Sequence, residues 1–185
     1  MNSAETNAPH PLQCHPATPA GLPLDVSVAL SWTDSGLQLR YSVVGDSAGL
    51  CIPSAASPGP ADGLWQHTCL EAFIASEGEA AYREFNFSPS GQWAAYRFAS
   101  ERVRASDGVE GQPSLQFAMS ASQLVLTAHL PWSALPRSAT LCVGLSAVIE
   151  ESSGQLSYWA LQHPCGRPDF HHPAGRALRL ALPTN

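Results

Sequence analysis

The fold class this sequence predicts is all-β, an antiparallel β-sandwich, and three observations predict it. Nearly every patterned segment alternates with a period of two. Turn-forming residues punctuate those segments at short intervals. No stretch carries a helical period long enough for a confident helix; Phe73 to Tyr82 contains Glu77, Glu79, Ala80 and Ala81 but is too short. About nine or ten short strands of this kind bury their apolar faces best by packing sheet on sheet.

The elements follow in order. Met1 to Pro23 carries Pro9, Pro11, Pro16, Pro19 and Pro23 and reads as an extended lead-in; residues 24–185 read as one ligand-binding domain. Val26, Val28, Leu30 and Trp32 alternate with small or polar residues. Thr33-Asp34-Ser35-Gly36 turns the chain, and Leu37, Leu39, Tyr41 and Val43 alternate again, which makes a hairpin. Gly45 to Gly63 is a loop rich in Pro, Ser, Ala and Gly. Leu70, Ala72 and Ile74 then point one way while Cys69, Glu71 and Phe73 point the other. Phe85 and Phe87 alternate with Glu84 and Asn86, and Ala94, Tyr96 and Phe98 with Trp93, Ala95 and Arg97. A polar loop spans about Ser100 to Pro113. Leu115–Met119 and Leu124–Leu130 form a second hairpin, Pro131–Pro136 at most one helical turn, and Leu141–Glu150 a strong strand returning through Gln155–Leu161. Ala177–Leu182 closes the chain.

Composition narrows the function. The 185 residues fit one domain with a real core. Hydrophobic content of 44% with 13% charged residues describes a globular chain. The net charge is −6 and all nine basic residues are Arg, so there is no electrostatic footprint for nucleic acid. No apolar run reaches the roughly 18 residues of a membrane span. The N-terminus has no basic region followed by an apolar core and does not read as a signal peptide. Cys14, Cys51, Cys69, Cys142 and Cys165 are odd in number and contain no C-x-x-C pair. That argues for a reducing, cytoplasmic setting and against a zinc knuckle.

The chemistry concentrates in two stretches. If the three central strands pair in sequence order, Glu71, Glu84, Asn86, Trp93 and Arg97 share one face: carboxylates, an amide, a guanidinium and an indole suited to a polar ligand. An exposed ion-pair cluster is the alternative account of the same charges. The tail Trp159 to His172 holds His163, Cys165, Asp169, His171 and His172. Its irregular spacing favours an ordered loop around a pocket mouth over a metal site, and no metal ligand is assigned. Gly144-Leu145-Ser146-Ala147-Val148 lacks the second Gly of a nucleophile elbow, and no Gly-rich phosphate loop occurs.

Three pieces resemble the DOMON-like family, close to family 9 carbohydrate-binding modules: Trp65 and Glu71 leading into Ala72-Phe73-Ile74, the strand ending His129-Leu130-Pro131-Trp132-Ser133-Ala134-Leu135, and the hairpin ending Leu156-Ser157-Tyr158-Trp159-Ala160-Leu161. The resemblance covers roughly Leu24 to Leu182. It is closest to a bacterial subgroup with Glu84-Phe85-Asn86-Phe87-Ser88-Pro89-Ser90-Gly91 and the His-rich tail. It implies a jelly-roll-like sandwich acting as a non-enzymatic binder, most readily of a saccharide clamped between Trp65 and Trp159. Glu71, Glu84, Asn86 and Arg97 would supply hydrogen bonds, with His67 at the rim. Other branches hold haem b through Met or His, which makes Met119 with His67, His129 or His163 the alternative. The absence of C-x-x-C-H excludes covalent c-type haem. A third reading takes Glu71 and Glu84 as the paired acids of a glycoside hydrolase.

Overall fold

Thirteen strands form in the residues this computed structural model describes, 8–183. They are β1 (His10–Cys14), β2 (Asp25–Thr33), β3 (Gly36–Val44), β4 (Gly59–Pro60), β5 (Cys69–Ser76), β6 (Tyr82–Phe87), β7 (Gln92–Ser100), β8 (Val103–Arg104), β9 (Ser114–Met119), β10 (Gln123–Pro131), β11 (Thr140–Glu150), β12 (Leu156–Ala160) and β13 (Leu178–Ala181). Helix is confined to 3-10 turns such as Leu64–Gln66 and Pro173–Gly175. The all-β expectation holds.

The strands run in the order β4-β7-β6-β5-β11-β12-β1-β2-β3-β10-β9, with β13 added to β11 and β8 to β7. Every pairing is antiparallel except β4 with β7, so the sheet is mixed rather than purely antiparallel. The two halves are also not separate sheets. β1 pairs with β12 through Gln13 and Cys14 and with β2 through His10, Pro11 and Leu12, and so joins them. Within the proline-rich lead-in, His10–Cys14 is a strand built into the sheet that buries Leu12, and turns and bends follow at Pro16–Thr18 and Gly21–Leu22; residues 1–7 lie outside the described residues.

The sheet curls so that one face of each half meets in a single core. Val28, Leu30, Leu39 and Leu126 from one half pack in one cluster with Leu70, Ile74, Phe85, Phe87 and Leu145 from the other. Each fully buried Leu, Ile or Phe contributes about 1.5–3 kcal/mol of apolar transfer. Tyr41 crosses the core and donates its hydroxyl to the Glu71 carbonyl at 2.8 Å. Where β2 turns into β3, Gly36 has φ +153°, and a Cβ there would lie 2.0 Å from the Leu130 carbonyl of the neighbouring strand β10.

β5 breaks the simple alternation, because every residue from Cys69 to Ala75 is buried on both faces. Its second face is covered by the tail. β11 pairs along one side with β5, and along the other first with β13 and then with β12. Residues 161–177 leave the sheet in the gap between those two partners and fold over β5 and β6. Gly144 sits in that gap, where a Cβ would meet the Gly175 carbonyl at 3.0 Å.

Candidate functional site

The register across four strands lays out the outer face row by row. Ser146, Glu71, Asn86 and Ala94 form one row, and Gly144, Phe73, Glu84 and Tyr96 the next. Beyond them lie Cys142, Ala75, Tyr82 and Phe98, while Tyr158, Val148 and Cys69 close the other end. Above these rows opens a cavity of about 610 Å3, lined by Trp65, Glu71, Phe73, Glu84, Tyr96, Phe98, Arg102, Arg104, Tyr158, Phe170 and His171 among others. That size is within the usual range for a small-molecule site.

Aromatic rings build its walls. Trp65 stands on the 3-10 turn before β5 and leaves 51% of its surface exposed. Tyr96 donates to Asp62 Oδ1 at 2.5 Å, and the Arg104 guanidinium lies 3.9 Å from the centre of its ring. Burial, with that acceptor carboxylate, pushes the Tyr96 hydroxyl up to about 12. Opposite, Phe170 from the tail packs against Tyr158 and Phe73, with ring centroids 6.0 and 6.4 Å apart.

The tail is held by specific contacts. The Tyr82 hydroxyl and His171 Nδ1 are 2.7 Å apart, and the His171 ring meets Phe73 and Phe98 edge-on. Burial, reinforced by the Arg102 charge, pushes His171 down to about 4, so the imidazole is neutral near pH 7. Arg176 lies over the Tyr82 ring and donates to the His171 carbonyl, and Arg102 pairs with Asp169 at 2.8 Å. At the tail's start, His163 Nε2 sits 2.8 Å from the Gln13 carbonyl.

Two carboxyl groups lie on the cavity floor. Glu71 is 3% and Glu84 6% exposed. Ser146 Oγ donates to Glu71 at 3.4 Å, and Asn86 Nδ2 donates to Glu84 at 2.9 Å. Burial drives the Glu71 carboxyl well above its ordinary range, and the Glu84 charge adds to the effect. Burial also raises Glu84, while the Asn86 hydrogen bond and the charges of Arg104 and Arg102 act the other way. The Asn86 Oδ1 atom is buried without a partner.

Of the residues expected from sequence, the structure brings Trp65, Glu71, Glu84 and Asn86 to this face. His67 stands at the end of the same 3-10 turn, exposed, with Nδ1 2.8 Å from a Glu150 carboxylate oxygen. It does not line the cavity. Trp93 and Arg97 do not share the face. Trp93 pairs with Phe87 and packs on the core side, and Arg97 pairs with Arg83 and bonds Asp107 on the reverse of β7. Trp159 pairs with Ala147, is 7% exposed and packs its indole in the core, where Nε1 donates to Ser157 Oγ at 2.9 Å. Tyr158, one residue earlier and of opposite parity, faces the cavity instead. The sequence reading also missed Tyr96, Arg102, Arg104 and Phe170. For Tyr158 and Tyr96 the only signal was parity, which a strand with apolar side chains on both faces hides.

The metal and haem readings meet the same geometry. Among the described residues no group of three or more His, Cys, Asp or Glu side chains is placed to hold a metal ion. Met119 pairs with Leu124 and Ser114 with His129, so Met119 and His129 sit about 17 Å apart along the hairpin and do not fit one iron. His129 is engaged with Ser35 and Thr33.

Neither protein-family models nor curated proteins give a match to this chain. Solved structures do. The chain is similar to a protein from Bacteroides uniformis named as a candidate carbohydrate-binding protein, with a TM-score of 0.67 and 20% identity over 90% of this chain and 83% of that one. It is also similar to a family 9 carbohydrate-binding module from Caldicellulosiruptor kristjanssonii, solved with glucose and with cellotriose. Those TM-scores are 0.54 and 0.52 at 13% and 11% identity, over 85% and 83% of this chain and 74% and 72% of the modules. At such identities the likeness is one of fold. No helix among the described residues is long and apolar enough to cross a membrane.

Proposed function

We propose that this protein binds a saccharide, without turning it over, in the cavity between Trp65 and the tail. The observation that carries the reading is the combination of an aromatic wall with buried acceptors on the floor. A sugar ring presents apolar C–H faces and equatorial hydroxyl donors, and it needs both kinds of surface at once. Trp65 supplies an exposed indole at the rim, and Tyr158 takes the role that sequence reading gave Trp159. Glu71 and Glu84 accept hydroxyl hydrogens, and Arg102 and Arg104 donate at the mouth. The fold shared with modules solved with glucose and cellotriose supports the same class of ligand.

The test is a titration of intrinsic Trp fluorescence with glucose and cellotriose, repeated on Trp65→Ala. A saturable change abolished by the substitution is the expected result. No response to either sugar, or a response that survives Trp65→Ala, overturns the reading.

One observation favours a second reading. Glu71 and Glu84 share a face on adjacent strands, and burial raises both while Arg102, Arg104 and Asn86 hold Glu84 back. Two carboxyls of different acidity are what glycoside hydrolysis uses. Release of aryl alcohol from a panel of aryl glycosides, lost in both Glu71→Gln and Glu84→Gln, would establish it; inertness across the panel removes it.

A further inference from the structure

Glu71 and Glu84 are two buried carboxyl groups facing a ligand cavity, and among the described residues no guanidinium is bonded to either. The guanidinium ion pairs of the described residues lie elsewhere: Arg97 joins Asp107, Arg102 joins Asp169 and Arg179 joins Glu77. The chain has no Lys. The nearest basic nitrogen to Glu84 is His171 Nε2 at 3.8 Å, on a ring that is neutral near pH 7. Among the described residues the one side-chain hydrogen bond to Glu71 is the long 3.4 Å contact from Ser146, made to Oε2, which leaves Oε1 free. Beside it the buried Asn86 Oδ1 lacks a donor. Four carboxyl side chains line the cavity, Asp62, Glu71, Glu84 and Asp169, against the guanidinium groups of Arg102 and Arg104, and Asp169 is taken by Arg102.

Burial pushes both carboxyls toward their neutral form, and a cation entering the cavity would stabilise the ionised form at this floor. Register supplies the spacing. Glu71 stands opposite Asn86 and Glu84 opposite Phe73, so the two glutamates are diagonal neighbours, about 7–8 Å apart at their stems. A single ammonium between them reaches both carboxyl groups. It brings three donors, enough for both carboxyl groups.

We propose that the sugar taken by this cavity carries a free amino group, seated as an ammonium between Glu71 and Glu84; the ligand class is a hexosamine. The inference rests on the saccharide reading of the same cavity. Charge-assisted hydrogen bonds are roughly twice as strong as neutral ones, so replacing a hydroxyl by an ammonium at this point improves binding measurably.

The experiment is calorimetric titration of the intact protein at neutral pH with glucose, glucosamine and N-acetylglucosamine. Glucosamine is expected to bind about tenfold more tightly than glucose, or about 1.4 kcal/mol. N-acetylglucosamine, which has no charge, should lose that advantage. Binding of glucosamine should also release protons as it drives the floor carboxyls to ionise, which appears as a heat that varies with the buffer. In Glu71→Gln, with folding checked by circular dichroism, the ratio of glucosamine to glucose affinity should fall toward one. Glucose binding as tightly as glucosamine overturns the amine inference and leaves the saccharide reading standing. An unchanged ratio in Glu71→Gln also overturns it. No binding of any of the three sugars removes both.

Discussion

Replacing Glu71 by Gln should change how the stability of this protein depends on pH. The Glu71 carboxyl titrates in the unfolded chain near 4.5 and well above that in the fold, because it is buried and faces Glu84. Between those two values the native state holds a proton that the unfolded state has lost. Stability therefore falls as pH rises through that window, by up to about 1.4 kcal/mol per pH unit for one proton. His171 works in the opposite direction. Its native value is about 4 against an ordinary 6.5, so the unfolded state holds the extra proton and stability rises with pH between those values. From about pH 4.5 to 6.5 the two slopes oppose each other, and the wild-type curve is flattened. Glu71→Gln removes one of them and keeps the side-chain shape. The difference between variant and wild type isolates the Glu71 contribution, since the His171 and Glu84 contributions are common to both. For a chain of this length, 1.4 kcal/mol corresponds to roughly 3–6 °C in Tm. The assay is a series of thermal melts across about pH 5 to 6.5. The variant should gain on wild type by up to that amount per pH unit. Parallel curves would refute the reasoning, because they would mean Glu71 titrates alike in the folded and unfolded chain.

Other substitutions separate the roles of the remaining residues. Trp65→Ala should shift urea-unfolding stability by no more than about 0.5 kcal/mol, because the indole is exposed, while removing the sugar-dependent fluorescence change. Arg97→Ala should leave sugar affinity as it is, since the guanidinium lies on the reverse of the sheet with Asp107; a measured loss of affinity would place it in the site after all. Trp159→Ala should cost about 3–5 kcal/mol in chemical denaturation, as a core indole is replaced by a cavity and Ser157 Oγ loses its donor. Gly144→Val puts side-chain atoms against the Gly175 carbonyl and should loosen the tail; faster trypsin cleavage at the buried Arg176 is the readout, and wild-type protection would contradict the tail's dependence on that glycine.

Much of this protein is legible in its sequence because a strand has a period of two. The hairpin of Val26–Trp32 and Leu37–Val43 is visible for that reason, and so are Leu70, Ala72 and Ile74 as a core face: in each, one face is apolar and the other is not. The pairing of Glu71, Glu84 and Asn86 on one face follows from the same alternation once the strands are neighbours. Alternation carries no signal where both faces of a strand are apolar. Trp93-Ala94-Ala95-Tyr96-Arg97-Phe98 offers no clear choice of inward face, and an error of one residue in parity moves Trp93 and Arg97 out of the site and Tyr96 and Phe98 into it. The same one-residue ambiguity exchanges Trp159 for Tyr158.

The sequence by itself determined the all-β class, the positions of the long strands and the acidic face of β5 and β6, since local alternation and turn chemistry suffice for these; the short β1, β4 and β8 lie where it showed a lead-in or loops. Tertiary structure alone decided that β1 joins the two halves and that the tail closes over Phe73 and Tyr82. Both depend on contacts between residues far apart in the chain, such as His10 with Val28 and Tyr82 with His171, which leave no periodic trace in either segment. The cavity is made by that second event. Without the tail the outer face of β5 would lie open to water, and Glu71 and Glu84 would be ordinary surface carboxylates.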